Sequence, residues 1–242
     1  MAGGNVCVEC GQTTSLKKLY RKFEGGAIRI LFCESCDNIM DKYLEFDPVL
    51  ICLDVLLHKP QAYRHVLINR KPKIQWHLCV LYLLCDAYVK WSDVNSAGKP
   101  VSSANTKDHS VLELEFYYIL SEACFEFLMF FCGLFLGIKV LNIIYTSKQR
   151  NQQDFYRELC SAILLSSFGK LLVIPVVLWS NSYSKVCLWL VKLFVFTSNA
   201  EAIKVVLSMD FLQSCFVVAF GLLVNACFKQ ENFTLLSSLI YK

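Results

Sequence analysis

Two Cys-x-x-Cys pairs near the start of the sequence constrain its fold more than any other feature. They are Cys7-Val-Glu-Cys10 and Cys33-Glu-Ser-Cys36, separated by residues 11–32. Tetrahedral Zn²⁺ needs four soft ligands, and each short loop supplies two thiolates from one tight turn. Gly11, directly after the first pair, allows the positive φ of such a zinc knuckle. A pair of redox or disulfide motifs is the alternative, and it requires neither matched pairs nor a hairpin between them.

The spacer between the two pairs has the pattern of a β-hairpin. Residues 18–23 and 27–32 are strand-like, and Gly25-Gly26 between them is a turn signal. A hairpin returns the second cysteine pair to the first, so that all four sulfurs meet. Residues 1–40 are therefore predicted to form a zinc ribbon, with the four cysteines as ligands of a structural Zn²⁺ ion.

The rest of the chain is too apolar for an ordinary soluble domain. Of its 242 residues 55% are hydrophobic and 18% are charged, and the mean hydropathy is +0.45. This composition predicts an all-α polytopic membrane bundle of four to five helices that carries the ribbon as a small head. The cysteines outside the ribbon share no spacing and lie in apolar runs, which is typical of buried side chains. A four-thiolate zinc site also favours a reducing, cytosol-facing head.

Charge and motifs exclude several functional classes. The net charge of +4 is spread along the chain, without the clustered Lys/Arg surface that binds nucleic acid. The sequence contains no G-x-S-x-G, P-loop or G-x-G-x-x-G motif, and its histidines form no H-x-x-H or H-E-x-x-H pattern. We therefore expect a protein that is not an enzyme and does not bind nucleic acid. Each histidine is expected to be a satisfied surface or interface residue.

Residues 41–73 are predicted to complete the head with two short helices. Asp47-Pro48 is a helix start, with Asp47 as N-cap and Pro48 in the first turn. The apolar run that follows, residues 49–57, is too short to span a bilayer. It either packs on the ribbon as a buried helix or lies in the membrane interface. A second helix over 61–69 places four residues on one face: Ala62, His65, Val66 and Asn69.

A basic cluster of Arg70, Lys71 and Lys73 precedes the first long apolar segment. Beside a membrane such a cluster binds acidic lipid head groups, or it serves only as a topology signal. Residues 1–73 hold eleven Lys/Arg residues, the 92–115 loop two and the 139–159 loop four. This alternation predicts a cytosolic amino terminus and a lumenal 92–115 loop.

Five segments are predicted to span the membrane, at about residues 74–91, 116–138, 160–179, 186–206 and 211–228. The third contains Pro175, which predicts a kink. The fourth includes the polar run 197–201, which allows a broken or re-entrant helix. The stretch 92–115, with its Ser, Asn, Gly and Pro residues, is predicted to be a linker. Residues 229–242 are predicted to form a carboxyl-terminal tail.

Charged side chains inside the spans form a second candidate site. Glu122 and Glu126 share one helix face, and two carboxylates in hydrocarbon are costly unless they are paired. Lys170 and Lys192, on other spans, are their candidate partners. The functional interpretation is a polar seam that binds a lipid head group. The alternative is structural pairing between helices, or a span end near water.

The order of several motifs resembles the ARV family ("ACAT-related protein required for viability"). The cysteine pairs are followed by Asp41-Lys-Tyr-Leu-Glu-Phe-Asp47 and Gln61-Ala-Tyr-Arg-His-Val-Leu-Ile-Asn69, as in the homology domain of that family. The membrane part is similar in Ser166-Ser-Phe-Gly-Lys-Leu-Leu172 and Phe196-Thr-Ser-Asn-Ala-Glu-Ala-Ile-Lys-Val205. The resemblance extends to about residue 207, and it includes neither the 92–115 loop nor the chain after Asp210.

The resemblance implies an endoplasmic-reticulum membrane protein that maintains sterol distribution and sphingolipid balance and takes part in glycosylphosphatidylinositol assembly. It supplies no catalytic residues. We therefore expect a non-enzymatic protein that transports or presents membrane lipids, namely sterol, sphingolipid or a glycosylphosphatidylinositol precursor. An adaptor whose ribbon binds a lipid-synthesis enzyme is the alternative. A membrane-embedded transferase is a third hypothesis, which requires a catalytic group among Glu122, Glu126 and the histidines.

Overall fold

The computed structural model describes residues 5–14, 19–22, 28–70, 76–96, 109–144, 152–178 and 184–240. The chain divides into two compact units. The first unit comprises residues 1–75, 148–166 and 197–214, and the second comprises 76–147, 167–196 and 215–242. The amino-terminal head therefore folds as one unit with segments from the membrane part of the sequence.

A two-stranded antiparallel hairpin lies between the cysteine pairs, as predicted. Its strands are β1, Tyr20–Lys22, and β2, Ile28–Ile30, with Tyr20 opposite Ile30. Both strands are shorter than predicted. The predicted Gly25-Gly26 turn lies outside the described residues.

Helices form most of the remaining described chain. After a 3₁₀ turn at Lys42–Leu44 they are α1 Pro48–Leu56, α2 Pro60–Tyr63, α3 Trp76–Ser96, α4 His109–Ile144, α5 Gln152–Ser166, α6 Val173–Leu178, α7 Ser184–Leu207 and α8 Phe211–Ile240. A π-helical segment, Arg64–Asn69, continues α2, and a 3₁₀ segment, Ser167–Leu172, joins α5 to α6.

Four helical segments in the described part of the chain are long and apolar enough to cross a membrane. They are Phe116–Leu141, Tyr156–Val176, Val186–Leu207 and Phe211–Phe228. This confirms the predicted architecture of a small hairpin with a cysteine cluster followed by a helical membrane part. α3 covers residues 76–91 of the predicted 74–91 span and is 21 residues long, but it is not among these four. Asp86 and Lys90 interrupt its apolar sequence.

Helices extend into regions that we predicted to be linker or tail. α3 continues to Ser96 and α4 begins at His109, so both ends of the predicted 92–115 linker are helical. Residues 97–108 lie outside the described part. α8 continues to Ile240, through most of the predicted 229–242 tail. Ser, Asp and Asn weaken a helix but do not stop one that an apolar segment has already nucleated.

The third predicted span changes geometry earlier than its proline suggests. α5 ends at Ser166, and the 3₁₀ segment that follows carries Gly169 and Lys170. Pro175 lies inside α6 and has no N–H for the carbonyl one turn before it, so the irregular turn precedes the proline. A Cβ on Gly169 would lie 2.5 Å from the ring of Phe194, so this tight contact also requires glycine.

α7 is continuous, so the broken or re-entrant helix that the sequence allowed for the fourth span does not form. The polar run 197–201 is largely buried, with Ser198 fully inaccessible and Asn199 and Glu201 nearly so. It remains helical because groups on other segments bond its side chains, which removes the cost of burying them in an apolar surrounding.

Candidate functional site

The four cysteines of the two pairs converge in the first unit. Their Sγ atoms all lie within 4.8 Å of one another, with 3.8 Å between Cys7 and Cys36 and 3.7 Å between Cys10 and Cys33. Four sulfurs bound at about 2.3 Å to a tetrahedral ion lie about 3.8 Å apart, whereas a disulfide joins its sulfurs at about 2.05 Å. The cluster therefore fits a four-coordinate metal better than two disulfides.

The two cysteine pairs sit in equivalent turns. The N–H of Gly11 donates to the carbonyl of Cys7, and the N–H of Asp37 donates to the carbonyl of Cys33, both at 3.0 Å. Both turn residues have positive φ, +80° at Gly11, as predicted, and +55° at Asp37. Short antiparallel bridges close the two turns: Val6 with Thr13, and Phe32 with Ile39. This repeated geometry aims the four sulfurs at one point.

Burial and backbone N–H groups set the protonation of these sulfurs. Burial raises the pKa of the Cys7 thiol to about 12, so this thiol stays protonated at neutral pH unless a cation binds. The N–H of Ser35 donates to Cys33 and lowers the pKa of that thiol to about 7. Because only the thiolate is a metal ligand, binding of a cation would favour the ionised form of Cys7, which burial opposes.

Arg64 holds the first cysteine turn against the π-helical segment. Its Nη1 donates to the carbonyls of Val8 and Glu9, both at 2.8 Å. A Cβ on Gly11 would lie 3.2 Å from this guanidinium, which would have to shift by a few tenths of an ångström, and the positive φ favours glycine there. Nε2 of Gln61 donates to the Glu9 carboxylate at 3.3 Å. The continuous helical stretch of α2 and the π-helical segment therefore bonds both backbone carbonyls of the turn and the Glu9 side chain.

Asp41 is a fully buried carboxylate that joins three segments of the head. Its Oδ1 accepts from the N–H of Tyr43 at 3.1 Å. Its Oδ2 lies 2.8 Å from Nδ1 of His65 and accepts from Nδ2 of Asn69 at 2.8 Å. Asn69 also accepts from the N–H of Val6 at 2.9 Å and donates to the Val6 carbonyl at 3.0 Å. The two head motifs and the ribbon are thus one hydrogen-bonded structure.

α1 is buried on one face and apolar on the other. It begins at Pro48 as predicted, and the Asp47 carboxylate accepts from the N–H of Val49 at 3.1 Å. The inner face buries Ile51 against Val8, Tyr43 and Ala62. The outer face carries four side chains that are 48–68% exposed: Val49, Leu50, Leu53 and Leu57. The first predicted alternative, a buried helix packed on the ribbon, is therefore correct for only one face of α1.

Polar contacts join the head to the polar run of α7 within the first unit. The hydroxyl oxygens of Tyr63 and Ser198 lie 2.8 Å apart, and Ser198 donates to the carbonyl of Ser166 at 2.8 Å. Nε2 of His58 lies 3.1 Å from Oγ1 of Thr197. These contacts explain how the run remains helical while it is buried.

An apolar cluster joins the same elements. Its buried members are Tyr63, Leu67, Ala162, Ala202, Val205 and Val206. Val55 of α1 packs against it. Ala162 lies in the candidate span Tyr156–Val176, and Ala202 lies in the candidate span Val186–Leu207. α1 is therefore held beside two candidate membrane helices.

In the second unit the predicted acidic pair meets a lysine of α3. Nζ of Lys90 lies 2.9 Å from Oε1 of Glu126 and 3.7 Å from Oε1 of Glu122. We expected Lys170 or Lys192 in this role, so the expected partner is corrected to Lys90. The reason is that Lys90 lies on α3, which packs along α4, the helix that carries both glutamates.

The two expected lysines have other neighbours. Lys170 donates to Oδ2 of Asp86 on α3 at 2.8 Å. Nζ of Lys192 lies 5.8 Å from the centre of the Trp189 ring on its own helix. Pairing between helices accounts for the first contact. A lipid-binding role for these lysines and for the two glutamates stays a prediction.

Of the predicted basic cluster, the structure describes only Arg70, which is exposed at the end of the π-helical segment. Lys71 and Lys73 lie outside the described residues. Lipid binding by this cluster likewise stays a prediction.

Sequence reasoning missed the buried groups that hold the head together. His65 was expected to be a satisfied surface or interface residue, yet it is 5% exposed and bonds to a buried carboxylate. One sequence signal was available: His65 and Asn69 are four residues apart and therefore lie on one helix face. In the structure both side chains contact Asp41 of the preceding motif.

Comparisons with known proteins agree over most of the chain. The sequence model of the Arv1-like family matches residues 6–203, which include the four cysteines, both head motifs and the polar run of α7. Protein ARV1 of Homo sapiens is 39% identical over 224 residues, covering 91% of this chain and 79% of the human protein. Protein ARV1 of Mus musculus is 39% identical over 220 residues, with 91% and 80% covered. Protein arv1 homolog of Dictyostelium discoideum is 32% identical over 237 residues and 93% of each chain. No solved structure matches the chain.

Proposed function

The chain belongs to the Arv1-like family, and we propose that it mediates sterol and lipid transport in the endoplasmic-reticulum membrane. The lipids are sterols, sphingolipids and glycosylphosphatidylinositol precursors. The protein binds or presents them without catalysing a reaction. Family membership supports this proposal, and so do the four candidate membrane helices.

One observation carries the proposal. α1 exposes an apolar face, while Val55 on its other side packs on a cluster that includes residues of two candidate spans. A helix held in this way beside membrane helices lies at the bilayer surface, where an exposed apolar face enters the boundary between head groups and acyl chains. The head therefore has direct access to lipids of that leaflet.

The metal of the cysteine cluster is Zn²⁺ in this proposal, and its role is structural. A closed set of four thiolates in tetrahedral arrangement is the usual structural zinc site. Free thiols at this position, together with the excess of Lys and Arg in residues 1–73, support a head that faces the cytosol. Elemental analysis of the purified protein should give one zinc per chain, and none in a Cys33→Ser, Cys36→Ser variant. Iron in place of zinc would overturn this assignment.

The lipid role is tested by rescue in cells that lack the endogenous protein. The double variant Leu50→Glu, Leu53→Glu places two charges on the apolar face of α1 and should lose rescue of sterol distribution at a normal protein level. The matched control, Gln12→Glu, Asn38→Glu, adds the same charge at exposed positions of the ribbon and should rescue fully. Equal rescue by both variants would show that the α1 face does not serve lipid handling.

A second candidate function is an adaptor that binds a lipid-synthesis enzyme. One observation favours it: Phe32 and Ile39, which bridge the second cysteine turn, are 59% and 42% exposed on the ribbon. The discriminating experiment replaces residues 76–147, which lie wholly in the second unit, with an unrelated pair of membrane helices. Retained rescue supports the adaptor, whereas loss of rescue at a normal protein level supports lipid handling by the bundle.

A further inference from the structure

A cavity of about 280 Å³ lies in the first unit between α1, the 3₁₀ turn and the π-helical segment. Most of its lining is apolar, and the side chains that provide it are Leu19, Tyr43, Leu44, Phe46, Pro48 and Ile51. Leu44 and Phe46 are also 39% and 40% exposed, so the entrance of the cavity is apolar. A concave site with an apolar lining and few polar groups is the usual form of a small-molecule site.

Most polar side chains around the cavity are already bonded inside the head. The Asp41 carboxylate takes part in three hydrogen bonds. The Asn69 amide donates to Asp41 and to the carbonyl of Val6, and its oxygen accepts from the N–H of Val6. The Tyr43 hydroxyl donates to Asp54 at 2.9 Å. These three lining residues therefore have their donors engaged and offer little to a ligand.

His65 is different, because one nitrogen of its ring is left over. Both oxygens of Asp41 accept from N–H groups, as in a carboxylate, so Nδ1 of His65 carries the proton in the 2.8 Å contact with Asp41. Within the part of the chain that the structure describes, no group bonds Nε2. Yet His65 is only 5% exposed, and it lines the cavity. A polar group of a ligand would remove the cost of this buried, unpaired nitrogen.

The ligand that fits these groups is uncharged and carries one hydroxyl. A hydroxyl both donates and accepts, so it bonds Nε2 in either protonation state of the ring. An anionic head group is disfavoured, because Asp41 lines the cavity and is fully buried, whereas the guanidinium of Arg70 is exposed to solvent. A head group with several polar atoms would leave most of them without partners.

We propose that this cavity binds the hydroxyl end of a sterol, with Nε2 of His65 as its hydrogen-bond partner and with Leu44 and Phe46 against the ring system. The assignment rests on the proposed lipid-handling function and selects among its lipids. Sphingolipids and glycosylphosphatidylinositol precursors carry several polar or charged groups at the head, whereas a sterol carries one hydroxyl.

The position of the cavity suits a ligand that arrives from the bilayer. Pro48 lines the cavity and is the first residue of α1. Val49, the next residue, begins the exposed apolar face of that helix and is 65% exposed. The cavity therefore lies at the end of the helix face that we place in the bilayer surface.

The test measures binding of dehydroergosterol, a fluorescent sterol with a free hydroxyl, to zinc-loaded, full-length protein in a neutral detergent without sterol. Cholesterol should displace the probe. Three competitors should displace it at least about tenfold less well. They are cholestene, which lacks the hydroxyl, cholesterol sulfate, which is charged at that position, and oleyl alcohol, which has a hydroxyl but no ring system.

Two variants and a matched control locate the site. His65→Asn keeps an N–H for Asp41 and removes Nε2. It should raise the Kd of the probe about tenfold and bring cholesterol and cholestene to similar affinity, which a merely structural role of His65 would not do. Phe46→Asp places a charge at the entrance and should also raise the Kd about tenfold. Phe32→Asp, at a 59% exposed position of the ribbon outside the cavity lining, should leave the Kd unchanged.

Each outcome decides the assignment. Equal displacement by cholestene would overturn a hydroxyl site, and equal displacement by cholesterol sulfate would overturn an uncharged one. Equal displacement by oleyl alcohol would overturn a sterol as the occupant. Unchanged affinity in both His65→Asn and Phe46→Asp would contradict binding in this cavity. If His65→Asn loses its zinc, the comparison of Phe46→Asp with Phe32→Asp decides.

The cavity and the lipid-handling function fail separately. Protein that exchanges sterol between liposomes, and does so equally well as His65→Asn and as Phe46→Asp, contradicts only the cavity assignment. Protein that binds the probe through His65 and Phe46 but exchanges no lipid contradicts only the lipid-handling function.

Discussion

The hydroxyl oxygen of Tyr63 lies 2.8 Å from Oγ of Ser198, although 135 residues separate the two in sequence. Ser198 uses its own proton in donating to the carbonyl of Ser166, so Tyr63 is the donor in this pair. Burial raises the pKa of Tyr63 to about 12, which keeps the hydroxyl protonated over the physiological range. The neighbouring Arg64 holds the first cysteine turn, so this one segment connects the metal cluster to the polar run of α7.

Tyr63→Phe should therefore loosen the connection between the head and α7. The change removes one buried hydrogen bond and leaves the ring in place, which costs about 1 kcal/mol. The expected readouts are a lower thermal midpoint of the full-length protein and faster amide exchange over residues 197–201. Tyr20→Phe, at a 37% exposed position of β1, is the control and should change neither. Equal effects of both substitutions would contradict the role of the Tyr63 contact.

Substitutions at the two turn residues should differ in their effect on zinc release. Gly11→Ala places a Cβ at φ +80° and 3.2 Å from the Arg64 guanidinium, so the cluster should lose about 1–2 kcal/mol and release zinc faster to a chelator. Asp37→Gly removes a side chain from a residue at φ +55° and should leave zinc release unchanged or slower. Zinc release followed with a colorimetric chelator measures both. Faster release from the Asp37 variant than from the Gly11 variant would refute the equivalence of the two turns.

The ion pairs of the second unit predict that Lys90 contributes more to stability than Lys192 does. Lys90→Met leaves Glu122 and Glu126 without the cation that contacts both, and should destabilise the protein by about 1–3 kcal/mol. Lys192→Met removes an exposed lysine that contacts an aromatic ring and should cost less than about 1 kcal/mol. Thermal midpoints in one detergent compare the two variants. Adding Glu126→Gln to Lys90→Met should restore part of the loss, because it removes a carboxylate that Lys90 no longer neutralises.

Two carboxylates of the head predict a loss of stability in acid. The ammonium of Lys59 lowers the pKa of Asp54, and that of Lys42 lowers the pKa of Glu9. A depressed folded-state pKa stabilises the fold above the unfolded value, near pH 4, and the contribution disappears as the pH falls through the folded value. The thermal midpoint should therefore fall between pH 5 and pH 3.

Asp54→Asn isolates this effect from acid release of the metal. The variant should be less stable than the wild type at pH 7, and the difference should shrink as the pH falls, because the wild-type carboxylate becomes neutral. A difference that stays constant from pH 7 to pH 3 would contradict the assignment.

Features set by neighbouring residues could be predicted from the sequence. The cysteine spacing, the positive φ of Gly11 and the cap of Asp47 on α1 each depend on a few adjacent residues, and each is present in the structure. Four of the five predicted spans are candidate spans in the structure for the same reason, since length and composition decide them.

Partners across the chain could not be predicted in this way. The choice of Lys90 for Glu126, and of Tyr63 for Ser198, depends on which helices pack together, and hydrophobic periodicity does not contain that information. The same limit explains why the sequence left open whether α7 is continuous. Its polar run reads as a helix break in isolation and is helical only because the head supplies hydrogen-bond partners.

Exchange between liposomes shows whether this chain itself moves lipid. Purified, zinc-loaded protein is reconstituted without any enzyme, and fluorescent sterol or a labelled glycosylphosphatidylinositol precursor is followed from donor to acceptor vesicles. We expect exchange or flipping above the protein-free rate, and a reduced rate for Leu50→Glu, Leu53→Glu. If the protein neither binds, exchanges nor flips these lipids, the claim of direct transport is contradicted.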